Sequence, residues 1–280
     1  MTVSTASIIC MAISAVFCTA LPFVLLAIVR KKFKTGVVPF FIGWAVFTLF
    51  ALVLESIMHN VVLLGKYGQT IQNNIWLYAL YGGMAAGVFE ETGRFVAFKT
   101  IMRKSRDKAD SVMYGAGHGG FEALVVAGMG MVSNIVLSVM INLGMTDMLT
   151  ASAPDAATLD AMNAQFAQLA EMPSAIFLLS SVERCSAVAL HIALSVLVYA
   201  AAKNGKRFWL YPAAILLHAF ADGVLVVLAN GIGMNVYLVE AILAVMTAAI
   251  APIAVRVYKS MESEPSKAET AKNLATDSDN

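Results

Sequence analysis

Long apolar runs alternate with short polar segments along most of the chain, and these runs have the length of membrane-spanning helices. A helix needs about 20 mainly apolar residues to cross a hydrocarbon core of about 30 Å. Seven stretches meet this requirement, at residues 5–29, 36–58, 75–102, 112–142, 173–202, 209–230 and 236–257. No series of short segments with two-residue alternation occurs. The pattern therefore predicts an all-α, polytopic helical bundle rather than a membrane β-barrel.

The composition agrees with a membrane protein. Of the 280 residues, 59% are apolar and 13% are charged, whereas about 25% are charged in an ordinary soluble domain. The nineteen basic and eighteen acidic residues nearly cancel, so no strong field favours a nucleic acid partner. Cys10, Cys18 and Cys185 lie in apolar runs without the spacing of a metal site or a disulfide framework. We predict a multi-pass protein of a bacterial cytoplasmic membrane, with the lipid bilayer as its main partner.

The basic residues predict the orientation of the spans. Sixteen of the nineteen Lys and Arg residues follow the first, third, fifth and seventh spans. Only Lys66 lies on the opposite side, while Arg94 and Arg184 lie within spans. Cytoplasmic loops carry an excess of Lys and Arg. The expected topology has the N-terminus outside and the C-terminus in the cytoplasm.

The remaining segments complete the predicted domain organisation. Residues 1–258 are expected to form a single transmembrane domain, and residues 259–280 a disordered polar cytoplasmic tail. The outer loop 143–172 has apolar residues at helical spacing, which predicts a short amphipathic helix at the outer face. These residues are Leu159, Met162, Phe166 and Leu169.

Ionisable residues lie inside the third to sixth predicted spans, where each costs at least about 2.5–3.5 kcal/mol on insertion scales. They are Glu90, Glu91 and Arg94 in span three, His118 and Glu122 in span four, Glu183, Arg184 and His191 in span five, and His218 and Asp222 in span six. With a rise of 1.5 Å per residue, four of them lie about 16–18 Å from the cytoplasmic edge. These four are Glu91, Glu122, His191 and His218. The spans therefore bring carboxylates and imidazoles to one layer.

The spacing of these residues predicts which of them meet. Residues four apart share a helix face. Three such pairs are Glu90 with Arg94, His118 with Glu122, and His218 with Asp222. Glu183 and Arg184 lie about two turns further out, where an ion pair that braces the spans is expected. Glu55 and His59, near the outer end of span two, are expected to reach the membrane interface.

The polar layer contains the ligand types that Zn²⁺ prefers. Catalytic zinc usually keeps three protein ligands and one water. A further glutamate beside that water can act as a general base, and a cation such as Arg94 can hold it or balance its charge. Two other classes also place Asp, Glu and His in spans: proton- or cation-coupled transporters and scaffolds that use polar residues for helix packing. We find none of the repeated halves that transporters often show.

In these motifs the sequence resembles the YhfC-type family of predicted bacterial membrane peptidases. That family belongs to the clan of CAAX prenyl endopeptidases, bacteriocin-processing proteins and PrsW-type proteases. The resemblance covers residues 75–230, the catalytic-type core. Glu90-Glu91 with Arg94 matches the first motif, and Gly-His118-Gly-Gly-Phe-Glu122 the second. Arg184 and His191 resemble the third motif, and His218 with Asp222 the fourth.

The resemblance implies that the chain is an intramembrane endopeptidase, and it also implies roles for individual residues. Glu90 or Glu91 would activate water, and Glu122, His191 and His218 would bind or position it through zinc. Asp222 would complete the ligand set or orient His218. His118 replaces the usual Phe and would add a ligand, replace another or donate to an oxyanion. The implied substrate is a membrane-embedded peptide or membrane-anchored protein, and the sequence indicates no oligomeric state.

Overall fold

The computed structural model describes residues 1–261, and this part of the chain is helical with no β-strand. The helices are α1 (Thr5–Phe33), α2 (Val38–Leu63), α3 (Gly68–Gln72), α4 (Ile75–Lys99), α5 (Ala109–Asn142), α6 (Thr146–Thr150), α7 (Ala156–Glu171), α8 (Ser174–Lys203), α9 (Gly205–Gly231) and α10 (Val236–Ser260). This confirms the predicted all-α class. The predicted polar tail from residue 262 onward lies outside the described residues.

Three of the long helices contain π-helical segments. These segments are Thr48–Glu55 in α2, Ala123–Gly128 in α5 and Val227–Gly231 in α9. A π turn holds more residues than an α turn, so it changes the direction of the side chains that follow it. Such segments frequently occur at functional sites.

Six helices in the described range are long and apolar enough to cross a membrane: α1, α2, α5, α8, α9 and α10. Helix α4 has 25 residues, a length of about 37 Å, but Glu90, Glu91 and Arg94 lower its hydropathy. It is not among the six. That α4 is a seventh span, and that the N-terminus lies outside, stay predictions.

The chain divides into two compact units, and that residues 1–258 form a single transmembrane domain stays a prediction. Unit 1 comprises Met1–Val24 and Gly120–Ser186. Its core is formed by Val3, Met11, Ile141, Phe166, Leu169 and Phe177. The predicted amphipathic helix is present as α7, and its Phe166 and Leu169 are buried in this core. The Asp155 side chain begins α7 by accepting the Thr158 N–H at 2.7 Å.

Unit 2 comprises Leu25–Gly119 together with the described residues from Ala187 onward. The C-terminal half of α8 lies at the centre of its core, where Leu194, Leu197 and Val198 are fully buried. Phe98 of α4 and Tyr114 of α5 pack in the same core. Unit 2 therefore contains residues from α2, α4, α5, α8, α9 and α10.

Helices α4 and α9 approach closely because α4 has glycines on the face that meets α9. A Cβ atom on Gly83 would lie 2.3 Å from the Ala219 carbonyl oxygen, and one on Gly87 would lie 2.6 Å from the Ile215 oxygen. Both distances are far shorter than real Cβ contacts. The absent side chains therefore let the two backbones touch, which brings Glu91 beside His218.

Candidate metal centre

The ionisable residues of α4 start a hydrogen-bonded network that is wholly within unit 2. Arg94 Nη1 donates to both carboxylate oxygens of Glu91, each at 2.9 Å. Arg94 Nη2 lies 3.1 Å from His191 Nδ1 on α8. A guanidinium only donates hydrogen bonds, so His191 Nδ1 is the acceptor. Arg94 and Glu91 are fully buried, and their pairing compensates part of the cost of burying two charges.

His218 on α9 is held between two carboxylates. Its Nδ1 lies 2.8 Å from Glu91 Oε1, and its Nε2 lies 3.4 Å from Asp222 Oδ2. The sequence-predicted pairing of His218 with Asp222 across one helical turn is therefore confirmed. Carboxylate partners fix the ring orientation of a histidine and raise the basicity of its other nitrogen.

Glu90 faces two further imidazoles. Its Oε2 lies 2.8 Å from His118 Nε2 on α5 and 3.8 Å from His191 Nδ1. The rings of His118 and His191 have centroids 5.2 Å apart, as do those of His191 and His218. Phe47 of α2 packs edge-on against His118 at 5.1 Å. Three histidines from three helices thus lie around the two glutamates of α4.

Within this network, Glu90, His191 and His218 form a compact ligand group. One donor atom from each residue lies within 4.8 Å of the other two, and all three residues are buried. Two imidazole nitrogens and one carboxylate oxygen are a known ligand set of catalytic zinc. The donor types and their convergence fit a bound metal ion.

The charge of the network also fits a divalent cation. Glu90, Glu91 and Asp222 bring three negative charges, and Arg94 brings one positive charge. Histidines that bind a metal are neutral, and the network then has an excess of two negative charges. Charges inside a protein are costly unless they are paired or coordinate metals, although the 40% exposure of the Asp222 side chain lowers this cost for one of the three carboxylates. A divalent ion would neutralise this excess.

The structure brings seven of the eight sequence-predicted site residues into this network: Glu90, Glu91, Arg94, His118, His191, His218 and Asp222. It differs from the sequence analysis in their pairings. Arg94 binds Glu91, and His118 binds Glu90, two contacts that helical spacing did not predict. Glu90, one of the two glutamates expected to activate water, lies in the candidate ligand group.

Glu122 is the exception, since it lies in unit 1 and is not part of the ligand group. Its Oε1 accepts a hydrogen bond from Arg184 Nη1 at 2.6 Å. Arg184 Nε and Nη2 also donate to Glu183. The predicted ion pair of Glu183 and Arg184 is confirmed, and Glu122 joins it because a guanidinium offers charge-assisted hydrogen bonds. The four-residue spacing from His118 predicts the helix face on which Glu122 lies, but it does not predict which side chain the Glu122 carboxylate contacts.

Unit 2 contains a further polar group, in which sequence reasoning did not include Tyr81. Glu55 is buried within the protein, and its position at the membrane interface stays a prediction. Its Oε1 lies 3.2 Å from His59 Nε2, and His59 Nδ1 lies 2.8 Å from the Tyr81 hydroxyl. The signal that could have found this group is the four-residue spacing of Glu55 and His59, the same as that of His218 and Asp222.

The fold and the buried ligand group define a multi-pass membrane protein with a candidate metal centre inside its helices. The model of the YhfC intramembrane metalloprotease family matches residues 17–243. The chain belongs to this family. It is also 34% identical over 248 residues to the uncharacterized membrane protein YhfC of Bacillus subtilis (strain 168), covering 88% of this chain and 94% of that protein. No solved structure shows significant similarity to the chain.

Proposed function

We propose that this protein is a zinc-dependent intramembrane endopeptidase that cleaves a membrane-anchored protein or peptide. The observation that carries the proposal is the buried convergence of Glu90, His191 and His218. Membership of a family whose name describes intramembrane metalloproteases supports the same activity.

In this proposal Glu90, His191 and His218 hold the metal. Zinc fits better than magnesium or calcium because those ions prefer oxygen ligands only, whereas two of these three donors are imidazoles. When bound, zinc acts as a Lewis acid that favours deprotonation of water at neutral pH and polarises the scissile carbonyl. The protein would supply the ligands, their orientation and a site screened from lipid.

The other residues of the network position the ligands. Glu91 contacts His218 Nδ1 at 2.8 Å and would keep the ring orientation, while Nε2, which lies 3.4 Å from Asp222, would bind the metal. Arg94 fixes Glu91 through both carboxylate oxygens. Glu91 is therefore a weak proton acceptor, because both of its oxygens already accept from a cation. His118 holds Glu90 and thereby directs it toward the ligand group.

The expected substrate follows from the burial of the site. A peptide bond that reaches residues buried among membrane-spanning helices must itself lie in or beside the membrane. A membrane-anchored protein or peptide satisfies this requirement. A soluble protein would have to insert a segment between the helices.

The test is a comparison of protein termini in membranes from cells that express the wild type or Glu90→Gln. We expect new N- or C-termini within or next to membrane spans in wild-type cells and their loss in the variant. Glu122→Gln makes the same chemical change outside the ligand group and is expected to keep the cleavage products. Identical termini in the wild type and Glu90→Gln at matched expression would contradict the proposed protease.

A further inference from the structure

A second polar group in unit 2 lies between α2 and α4. Glu55 and His59 of α2 contact each other, and His59 also contacts the Tyr81 hydroxyl of α4. The same hydroxyl lies 3.0 Å from Met58 Sδ. Glu55 ends the π-helical segment of α2, where the wider turn directs its side chain inward.

This polar group continues toward the candidate metal centre. Asp222 of α9 lies 3.4 Å from His218 Nε2. The close contact of α4 with α9 places Gly223 against Ala79 and Gly83 against Ala219, so Asp222 is level with the part of α4 that contains Tyr81. Polar side chains thus extend from the ligand His218 to Tyr81.

Tyr81 lies six residues into α4, about 9 Å from its first residue. Glu91, at the metal centre, lies ten residues further, or about 15 Å. The polar side chains therefore bridge the distance between the buried ligands and the end of α4 at which Asn74 lies.

Asp222 and His59, two of these polar residues, are exposed although they lie in membrane-spanning helices. The Asp222 side chain is 40% exposed, and that of His59 is 34% exposed. A carboxylate exposed to lipid within a span is costly, and ionisable residues there nearly always face the bundle interior or a water-filled cavity. This rule is satisfied if the exposed part of Asp222 faces water, and it is broken if that part faces lipid. We therefore expect Asp222 to face water.

We propose that Glu55, His59, Tyr81 and Asp222 line a water-accessible passage from the Asn74 end of α4 to the candidate metal centre. The passage supplies the water that hydrolysis consumes, a role that rests on the proposed function. The accessibility of the passage does not depend on bound metal or on cleavage.

The test uses single cysteines in a variant without native cysteines, made with Cys10→Ser, Cys18→Ala and Cys185→Ser. Tyr81→Cys and His59→Cys place a thiol in the passage. Leu80→Cys and Ile57→Cys are the matched controls, because these neighbouring apolar residues are 63% and 56% exposed and face lipid in this proposal. The probe is a charged, membrane-impermeant methanethiosulfonate applied to membranes. Since the thiolate is the reactive species and forms in water, we expect modification of the passage cysteines to be at least about tenfold faster than that of the controls.

Lys66→Cys identifies the side of entry, because Lys66 is exposed in the connection that precedes α4. The passage cysteines are expected to react from the same side of the membrane as Lys66→Cys. Equal rates at all four positions, faster modification of the controls, or reaction only from the opposite side would overturn the passage. Size-exclusion profiles and labelling after denaturation verify each variant, and Met58→Cys replaces one that does not fold. If the labelling shows that these residues do not line a passage, the measured zinc content and cleavage of the wild type still stand. A failure of this inference is therefore distinguishable from a failure of the proposed function.

Discussion

Two arginines within the long helices are held by carboxylates in this protein, one fully buried and one partly buried, and the groups around them differ in kind. Arg94 in unit 2 binds Glu91 through both oxygens and also contacts His191. Arg184 in unit 1 binds Glu183 and Glu122. Each arginine thus holds a carboxylate on its own helix and reaches a side chain on another helix.

The difference lies in the imidazoles. All four histidines of the chain belong to unit 2, and three of them contact the carboxylates of α4 or lie beside them. Carboxylates with a guanidinium make an ion pair that braces helices. The addition of imidazoles creates a ligand group for zinc. Burial of charge in a membrane helix is therefore not enough to identify a metal centre, whereas the kinds of side chain that converge are informative.

The largest expected effect comes from removal of each arginine. Arg94→Met leaves the fully buried Glu91 without its cation, and breaking a buried pair in this way costs about 3–5 kcal/mol. Arg184→Met is expected to cost about 1–3 kcal/mol, because Arg184 and Glu122 retain 12% and 17% side-chain exposure. Unfolding of the metal-free protein in detergent measures both. An Arg184→Met loss as large as that of Arg94→Met would remove the distinction between the groups.

The next largest effect on stability is expected where α4 and α9 are in close contact. Gly87→Ala places a Cβ 2.6 Å from the Ile215 carbonyl oxygen, and such overpacking costs about 1–3 kcal/mol. Gly82→Ala is the matched control on the same helix, since its Cβ meets nothing within 4 Å; it is expected to stabilise α4 by about 0.5–1 kcal/mol. Thermal unfolding in detergent compares them, and equal effects would show that the helix contact does not require Gly87.

His118 tests the support of the ligand group. His118→Leu removes the 2.8 Å contact with Glu90 Oε2, and loss of such an outer partner lowers metal affinity by about 10–100-fold. His59→Leu changes a histidine of the same unit outside the ligand group and is expected to leave zinc affinity unchanged. Competition with a chelator measures both affinities. Unchanged affinity in His118→Leu would mean that Glu90 is positioned without it.

The smallest effect is expected at the exposed start of α7 in unit 1. The Thr158 backbone N–H donates to Asp155 and holds the pKa of Asp155 below its ordinary value. A carboxyl with a lowered pKa stabilises the fold above its unfolded pKa and loses this contribution as the pH falls through the lowered value. The protection of the first turn of α7 against hydrogen exchange, measured relative to the intrinsic exchange rate at each pH, should therefore fall on acidification in the wild type. Asp155→Asn keeps a capping oxygen and should lack this pH dependence, with zinc content unaltered; the same pH dependence in Asp155→Asn would contradict the assignment.

The helical spans were predictable because their signal is local: about 20 apolar residues in a row identify a helix without knowledge of its neighbours. The gathering of Glu91, His191 and His218 was also predictable, since depth follows from the rise per residue. The contact of Glu122 with Arg184 was not predictable. Helical spacing gives the face on which Glu122 lies, whereas its hydrogen-bond partner belongs to another helix. In the same way, helical spacing predicts that Glu55 meets His59, but it does not predict that His59 contacts Tyr81 of α4.

The most direct test of the central claim is the zinc content of purified protein in detergent, measured per chain for the wild type, Glu90→Gln and Glu122→Gln. The two variants make the same change in two glutamates, a buried one in the ligand group and a partly buried one in the Arg184 ion pair. We expect about one zinc per chain in the wild type and in Glu122→Gln, and a loss of most of it in Glu90→Gln. Zinc that persists in Glu90→Gln but leaves Glu122→Gln, or a folded wild type that binds none, would contradict the metal centre described by Glu90, His191 and His218.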